Sequence, residues 1–371
     1  MSYLHKATLS NKYRPSLIDD VVGQDHVKTY FKNAISGNML HHSYLFTGSS
    51  GTGKTTVARI IASAVNNPSG SSFTPDMTEG SLSHRIINGL CSDIREIDAA
   101  SNRSIDDIRT LRQEIKYAPF ECRKRFVIID EAHGLTGQAI EASLKMIEEP
   151  PAHTIFIFCT TEVEKLKETI TNRCIDFVFK SLSTSMIASN LKKICDLESC
   201  KYDNTSLLLI AEQSNGCVRK SLQLLEKAII CSESNLSLDS VKKHLMIVEE
   251  DVFFEIFNCI IKKDAASCIS KSLKVVSDGV TYENNLKHLA KIIRFILISK
   301  TCSNTTDIVQ MNDKTKFYIK QILSKINIEV LVEMVGLIRE ARDSMSKGIM
   351  PALSFETFVI KSIIACHKNN V

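Results

Sequence analysis

Tryptophan is absent from the 371 residues and proline occurs only seven times. Scarce proline leaves long stretches in which helices run unbroken, so a helix-rich chain is expected. Paired cysteines are also missing. Twelve cysteines are present, among them Cys91, Cys122, Cys159, Cys174, Cys195 and Cys200, but none forms a C-x-x-C pair. That scatter argues against a disulfide framework and for free buried thiols in a reducing compartment. Long apolar runs are lacking: Arg294 interrupts KIIRFILIS, and the opening MSYLHKATLSNKYRP has no apolar core of a signal peptide. No membrane contact is expected, and the cytoplasm is the expected location. Nor does one sign of charge dominate. With a net charge of +4, any nucleic-acid contact must come from local groups of Lys and Arg.

The length suggests two or three domains. At 44% hydrophobic and 24% charged residues, the composition is that of a soluble globular protein. Texture changes near residue 180. Before it, β-rich runs at 43–48, 125–130, 154–161 and 175–179 alternate with helical segments at 54–65, 104–116 and 137–148, which predicts a parallel sheet covered on both faces. After it, apolar residues recur at helical spacing, as in SMIASNLKKICDL and VRKSLQLLEKAII, with almost no strand signal. The stretch NNPSGSSFTPDMTEGSLSH at 66–84 reads as a long exposed loop.

The first β-rich run ends in Gly48, Ser49, Ser50, Gly51, Thr52, Gly53, Lys54 and Thr55, followed by Thr56. This matches G-x-x-x-x-G-K-[ST]. Glycines let the backbone wrap a polyphosphate, and the helix starting near Lys54 offers its positive end to the anion. Lys54 is expected on the β- and γ-phosphates and Thr55 on Mg²⁺. The run FVIIDE at 126–131 ends in two carboxylates at the sheet edge where ligands bind. Asp130 suits the magnesium shell; Glu131 suits orienting and deprotonating the attacking water. Standing alone, two acids would read as a strand end meeting solvent.

Further words accompany these motifs: NKYRPSLIDDVVGQDHV from Asn11, HHSYLFTG from His41, EIDAAS from Glu96, YAPF from Tyr117, IDEAH from Ile129, EEPPAH from Glu148, CTTE from Cys159 and TNRC from Thr171. Over roughly residues 10–245 the chain resembles the ATPase subunits of sliding-clamp loaders, closely the bacterial DNA polymerase III gamma/tau subunit and more distantly the small subunits of replication factor C. The resemblance implies an α/β AAA+ nucleotide-binding domain at 1–180, a small helical lid at 181–245 and an all-α collar at 246–371. It implies that Arg173 is an arginine finger acting in trans on the neighbouring subunit's ATP, with Asn172 where the family has serine. Thr161 falls on the first sensor position and Arg219 on the second. Tyr13, Arg14 and Val22 fall in the segment that flanks the adenine. Arg103 and Ser104, at a helix start, and Lys145 match DNA-contacting positions.

The resemblance also implies partners: other clamp-loader subunits in a hetero- or homo-oligomeric ring, expected to be a pentamer, a sliding clamp, and primer–template DNA. Its departures are as informative. The family's four-cysteine zinc module corresponds to the 66–84 loop, which has no cysteine, and Cys91 alone cannot make a four-ligand site; no zinc is expected. A divergent version, from a bacteriophage or a reduced genome, fits that loss, which places it in a bacterial or host cytoplasm. Gly134 and Gly137 replace larger residues and are expected to loosen the turn after the acids. By the resemblance, residue 371 is expected to fall near the end of the collar, before the long tail of the tau form. Retention of Lys54, Thr55, Asp130 and Glu131 favours an ATP-hydrolysing loader subunit. The alternatives are a non-hydrolysing scaffold subunit of the same complex and another AAA+ ATPase of recombination or repair.

Overall fold

The structure is a computed structural model, described for residues 8–70, 72–101, 104–232, 235–245, 250–302 and 313–368. Five apolar runs become strands: β1 (Ser43–Gly48), β2 (Ile94–Asp98), β3 (Arg125–Asp130), β4 (Thr154–Thr160) and β5 (Ile175–Phe179). They form one parallel sheet in the order β2-β3-β4-β1-β5. Both faces are covered, which explains why the central strands read as continuous apolar runs rather than alternating ones.

The two-residue period of each strand sorts its side chains between two cores. On one face, Tyr44, Phe46, Phe126, Ile128, Ile155 and Ile157 pack with Val27 and Phe31 of α2 (Asp25–Ser36) and with Val57, Ile60 and Ile61 of α3 (Lys54–Val65). On the other, Leu45, Val127, Ile129, Phe156 and Phe158 meet Ile108 and Leu111 of α5 (Ile105–Glu114) and Ile140 and Met146 of α6 (Gly137–Glu148). Each such large side chain contributes about 1.5–3 kcal/mol by leaving water. Parallel pairing brings the strands' carboxyl ends to one edge, with Asp98 opposite Asp130 and Gly48 opposite Phe179.

The 66–84 stretch is, as expected, without helix or strand among the described residues from 67 to 81, but it is anchored rather than exposed throughout. The Asn66 side-chain amide donates to the Lys124 carbonyl and accepts from the Lys124 N–H (3.0 and 2.9 Å), so the residue is buried just before β3. Phe73 and Met77 pack against the first core. A short helix, α4 (Leu82–Ile87), begins at an N-cap serine, Ser81. Two apolar side chains and one amide suffice to hold a polar segment down, and composition averages them away.

The chain divides into two compact units, Met1–Val241 and Lys242–Val371. The first unit includes α1 (Leu9–Lys12), α7 (Glu168–Thr171), α8 (Thr184–Leu197), α9 (Asn204–Gln213), α10 (Val218–Cys231) and the two-residue parallel pair β6 (Lys201–Tyr202) and β7 (Asn235–Leu236). Helix α11 (Leu238–His244) spans the division. The second unit holds α12 (Glu250–Ile261), α13 (Ala265–Ser277), α14 (Tyr282–Thr301), α15 (Asp313–Leu323), α16 (Ile328–Ser346) and α17 (Pro351–Lys368) around its own core, which includes Phe257, Leu289, Ile293, Met334 and Phe358. Among the described residues, no helix is long and apolar enough to cross a membrane.

Candidate nucleotide-binding and hydrolysis site

The loop from β1 to α3 depends on glycine at two places. At Gly48 φ is +134°, and a Cβ would stand 2.2 Å from the Phe179 carbonyl oxygen of the neighbouring strand. At Gly51 φ is +70°, and a Cβ would stand 2.3 Å from the Cys217 Sγ at the start of α10. Any side chain would therefore push β5 or α10 away. The loop turns back on itself: the Thr52 hydroxyl donates to the Ser49 carbonyl (2.8 Å). The Lys54 ammonium donates to the carbonyls of Gly48 (2.8 Å) and Ser49 (3.0 Å). Burial lowers the Lys54 pKa, against the opposing pull of Cys159, Glu131 and Asp130. A polyanion arriving here restores the preference for charge.

Across the sheet edge, the Thr55 hydroxyl donates to Asp130 Oδ2 at 2.8 Å. The sequence puts these two residues 75 positions apart; the fold makes them adjacent hard oxygen ligands, the donor set that Mg²⁺ prefers. Glu131 follows with a left-handed backbone (φ 48°, ψ 46°), a conformation costing about 1–3 kcal/mol for a residue with a side chain. The turn aims its carboxylate at Thr161, whose hydroxyl donates to Oε2 at 3.1 Å. His133 Nδ1 stands 3.0 Å from the Thr160 Oγ1 and 3.5 Å from the same Glu131 oxygen. Gly134, expected to loosen this turn, also lies against neighbouring backbone. A Cβ there would lie 2.8 Å from the Ala99 carbonyl oxygen, so glycine permits the close approach of the segment after β2.

These groups open onto a cleft of about 840 Å³, lined by Tyr13, Arg14, Val22, Ser50, Gly51, Thr52, Gly53, Lys54, Thr55, Thr56, Asp130, Glu131 and Arg219. Gly48 and Ser49 form its root through their carbonyls. Arg14 has its pKa lowered by burial first and then by the charges of Arg59 and Arg219, so cations converge where a polyphosphate would neutralise them. Val218, Arg219 and Leu222 of α10 and Asn190, Lys193 and Ile194 of α8 close the far wall.

Several positioning residues escape sequence reading. The Tyr13 hydroxyl and the Lys12 ammonium both donate to Glu198 Oε1 (2.7 and 2.6 Å), tying α1 to the end of α8. Gln24 makes two bonds to the Lys180 backbone, donating to its carbonyl (2.8 Å) and accepting from its N–H (3.0 Å). Each pairing joins segments more than 150 residues apart, and no local pattern announces it.

Other candidates lie away from the cleft lining. Arg173 donates through Nη2 to Glu148 Oε1 (2.7 Å) and through Nη1 to the Thr169 carbonyl (2.8 Å) of its own chain. Lys145 is exposed on α6. The Ser104 hydroxyl caps α5, reciprocally bonded with Asp107. Arg103 lies outside the described residues.

Two family models match the chain: DNA polymerase III, delta subunit, over residues 23–183, and DNA polymerase III subunits gamma and tau domain III, over residues 236–369. The tau subunit of DNA polymerase III from Bacillus subtilis is 32% identical over 369 residues, which covers 100% of this chain and 65% of that protein. The gamma subunit from Buchnera aphidicola subsp. Acyrthosiphon pisum is 32% identical over 330 residues, covering 88% of this chain and 91% of its own length. Among solved structures, the RuvB Holliday junction branch migration motor of Thermotoga maritima aligns with a TM-score of 0.50 at 19% identity, over 67% of this chain and 79% of that one, a likeness of fold alone. With that coverage of a gamma subunit, and with the phosphate loop, acids and parallel sheet described above, the chain belongs to the DNA polymerase III gamma/tau family of clamp-loading subunits.

Proposed function

We propose that this chain binds and hydrolyses ATP and spends that cycle on opening a sliding clamp and placing it on primer–template DNA. The observation that carries the reading is the 2.8 Å bond between Thr55 and Asp130 beside the buried Lys54. When bound, Mg²⁺ would neutralise phosphate charge, and Thr55 and Asp130 would hold it. Lys54 exchanges the Gly48 and Ser49 carbonyls for phosphate oxygens. Glu131 orients the attacking water and accepts its proton, and Thr161, already on Glu131, reports the presence of the γ-phosphate. Arg219 carries the lid of residues 181–245 onto the nucleotide, while Tyr13, Arg14 and Val22 flank the adenine.

Arg173 acts in trans within a ring of clamp-loader subunits, held together by a collar from about residue 246. Two facts support this: it is outside its own cleft lining, and its partner Glu148 is a half-exposed surface carboxylate. Such an ion pair is worth about 0–1 kcal/mol and is easily exchanged for a neighbour's phosphate. DNA phosphates are met by Ser104 at the start of α5, by Arg103 and by Lys145. The 66–84 segment, lacking cysteine, holds no zinc module. The test is Lys54→Ala: ATP affinity measured calorimetrically and steady-state turnover are both expected to collapse. Wild-type affinity and turnover would overturn the assignment.

A further inference from the structure

The expectation of a zinc-free chain rests on Cys91 standing alone, and the fold gives it a partner. Cys91, in the segment between α4 and β2, and Cys122, in the segment between α5 and β3, are both buried with their sulfurs 3.7 Å apart. The Asp93 carboxylate offers an oxygen within 4.8 Å of both sulfurs. Glu121 Oε1 lies 3.4 Å from the Cys91 sulfur. None of these residues belongs to the 66–84 segment.

The sulfur–sulfur spacing and that between Cys91 and Glu121 match a tetrahedral ion, and Asp93 is within reach. Sulfur ligands about 2.3 Å from zinc stand about 3.8 Å apart, and a sulfur and an oxygen ligand stand about 3.5–3.7 Å apart. The surroundings are also built rather than incidental. Asp93, 2% exposed, accepts the backbone N–H groups of Phe120, Glu121 and Cys122 (2.9, 2.8 and 3.1 Å), which fixes the turn that carries two of the donors. Arg85 holds Glu121 bidentately (3.0 and 2.5 Å), and an Arg125 nitrogen lies 3.5 Å from Asp93. Two thiolates and two carboxylates would be balanced by a dication and these two guanidiniums, which meets the requirement that buried charge be compensated. Ligands held in place by second partners are what a metal site needs.

We propose that Cys91 and Cys122, completed by the carboxylates of Asp93 and Glu121, bind one thiophilic divalent cation of the zinc class. Binding releases the two thiol protons to solvent and clips the segment before β2 to the one before β3, at the edge of the sheet. Sulfur ligands select such an ion over Mg²⁺ or Ca²⁺.

The experiment uses the full chain, kept reduced. Zinc is titrated against a chromophoric chelator and the ion content is measured after desalting; Co²⁺ replaces it as a spectroscopic probe. One equivalent per chain is expected, with the intense near-ultraviolet sulfur-to-cobalt band and the visible absorption of tetrahedral cobalt. Cys91→Ser and Cys122→Ser should each lose the sulfur band and at least tenfold in affinity, Glu121→Gln should retain the band with weaker binding, and Cys231→Ser, an exposed control, should change nothing. Because uptake by the unmodified chain is read first, a variant that fails to fold leaves the test intact. Failure of the reduced protein to retain zinc or develop the cobalt band overturns the proposal. So does binding by both serine variants as tight as that of the unmodified chain. A Cys91–Cys122 disulfide in protein isolated without reductant, with no ion uptake after reduction, overturns it as well.

Discussion

Both units bury serines in or beside helices, Ser143 and Ser214 in the first like Ser272 in the second, each bonded to a carbonyl three or four residues back, but around its cleft the first adds another kind of buried polar group. In residues 1–241, Lys54, Thr52, Gln24 and Asn66 are buried, and each bonds to backbone from another turn or segment. They hold the phosphate loop, the β5 end and the approach to β3 in register. In residues 242–371, buried Ser272 and Ser354 bond only to carbonyls four residues back in or beside their own helices (2.9 and 3.3 Å). Asn285 and Ser362 have side chains with no hydrogen-bond partner among the described residues. Unpartnered buried polar atoms occur in both units, as at Ser63 and Thr154 in the first, so the difference is the set of side-chain-to-backbone ties around the cleft, added to apolar packing that both units share. Loss of one of those cleft ties should therefore cost function, whereas loss of a large apolar group from the second unit should cost that unit its stability.

The sharpest break in that contrast is at Glu131. Glu131→Gln should reduce turnover by roughly 10²–10⁴-fold, the usual range for removing a general base, while ATP affinity stays within a fewfold of the original. Turnover by phosphate release and affinity by titration check this together, and unchanged turnover would dismiss the assigned role. In the helical unit, Phe257→Ala should destabilise by about 3–5 kcal/mol, since a fully buried ring is deleted. Urea unfolding should show it, with ATP affinity in folded protein unaltered; a parallel fall in affinity would mean the two units do not act separately.

A smaller effect sharpens the account of the loop. Gly51→Ala forces a left-handed backbone on alanine, worth about 1–2 kcal/mol, and drives a Cβ into Cys217. ATP should bind at least tenfold more weakly, and Gly51→Ala combined with Cys217→Ala should recover the steric part alone. No recovery would show that α10 does not press on the loop. Smallest is Asn285→Leu, which should stabilise the helical unit by about 1 kcal/mol by removing an unpartnered amide. A lower denaturation midpoint would reveal a partner for that amide.

The legible parts of this molecule are those written in consecutive residues. The runs at 43–48, 125–130 and 175–179 match strands β1, β3 and β5 in extent: the interiors of the central strands β1 and β3 are buried on both faces and read as apolar, whereas β5, at the sheet edge, alternates, with Asp176 and Val178 exposed. The phosphate-loop word places Gly48 to Thr55, and FVIIDE places Asp130 and Glu131. What stayed hidden depends on long-range closure. Cys122 meets Cys91 across 31 residues, Glu198 meets Tyr13 across 185, and Gln24 meets Lys180 across 156. A packing reason for glycine at 134, the nearby Ala99 carbonyl, is hidden because it comes from another strand's end. Arg173 is hidden in a further sense: the group it is proposed to serve lies on another copy or subunit.

That shared site is the central claim, and mixing two inactive variants tests it most directly. Arg173→Ala retains its own phosphate loop, and Lys54→Ala retains its finger. In rings assembled from both, an intact loop faces an intact finger at some interfaces, so turnover should exceed that of either parent ring. ATP affinity of the isolated Arg173→Ala chain should meanwhile equal that of the unmodified chain. If mixed rings form by native mass spectrometry and turnover never rises above either parent, Arg173 is an ordinary surface charge paired with Glu148, and the trans reading is wrong.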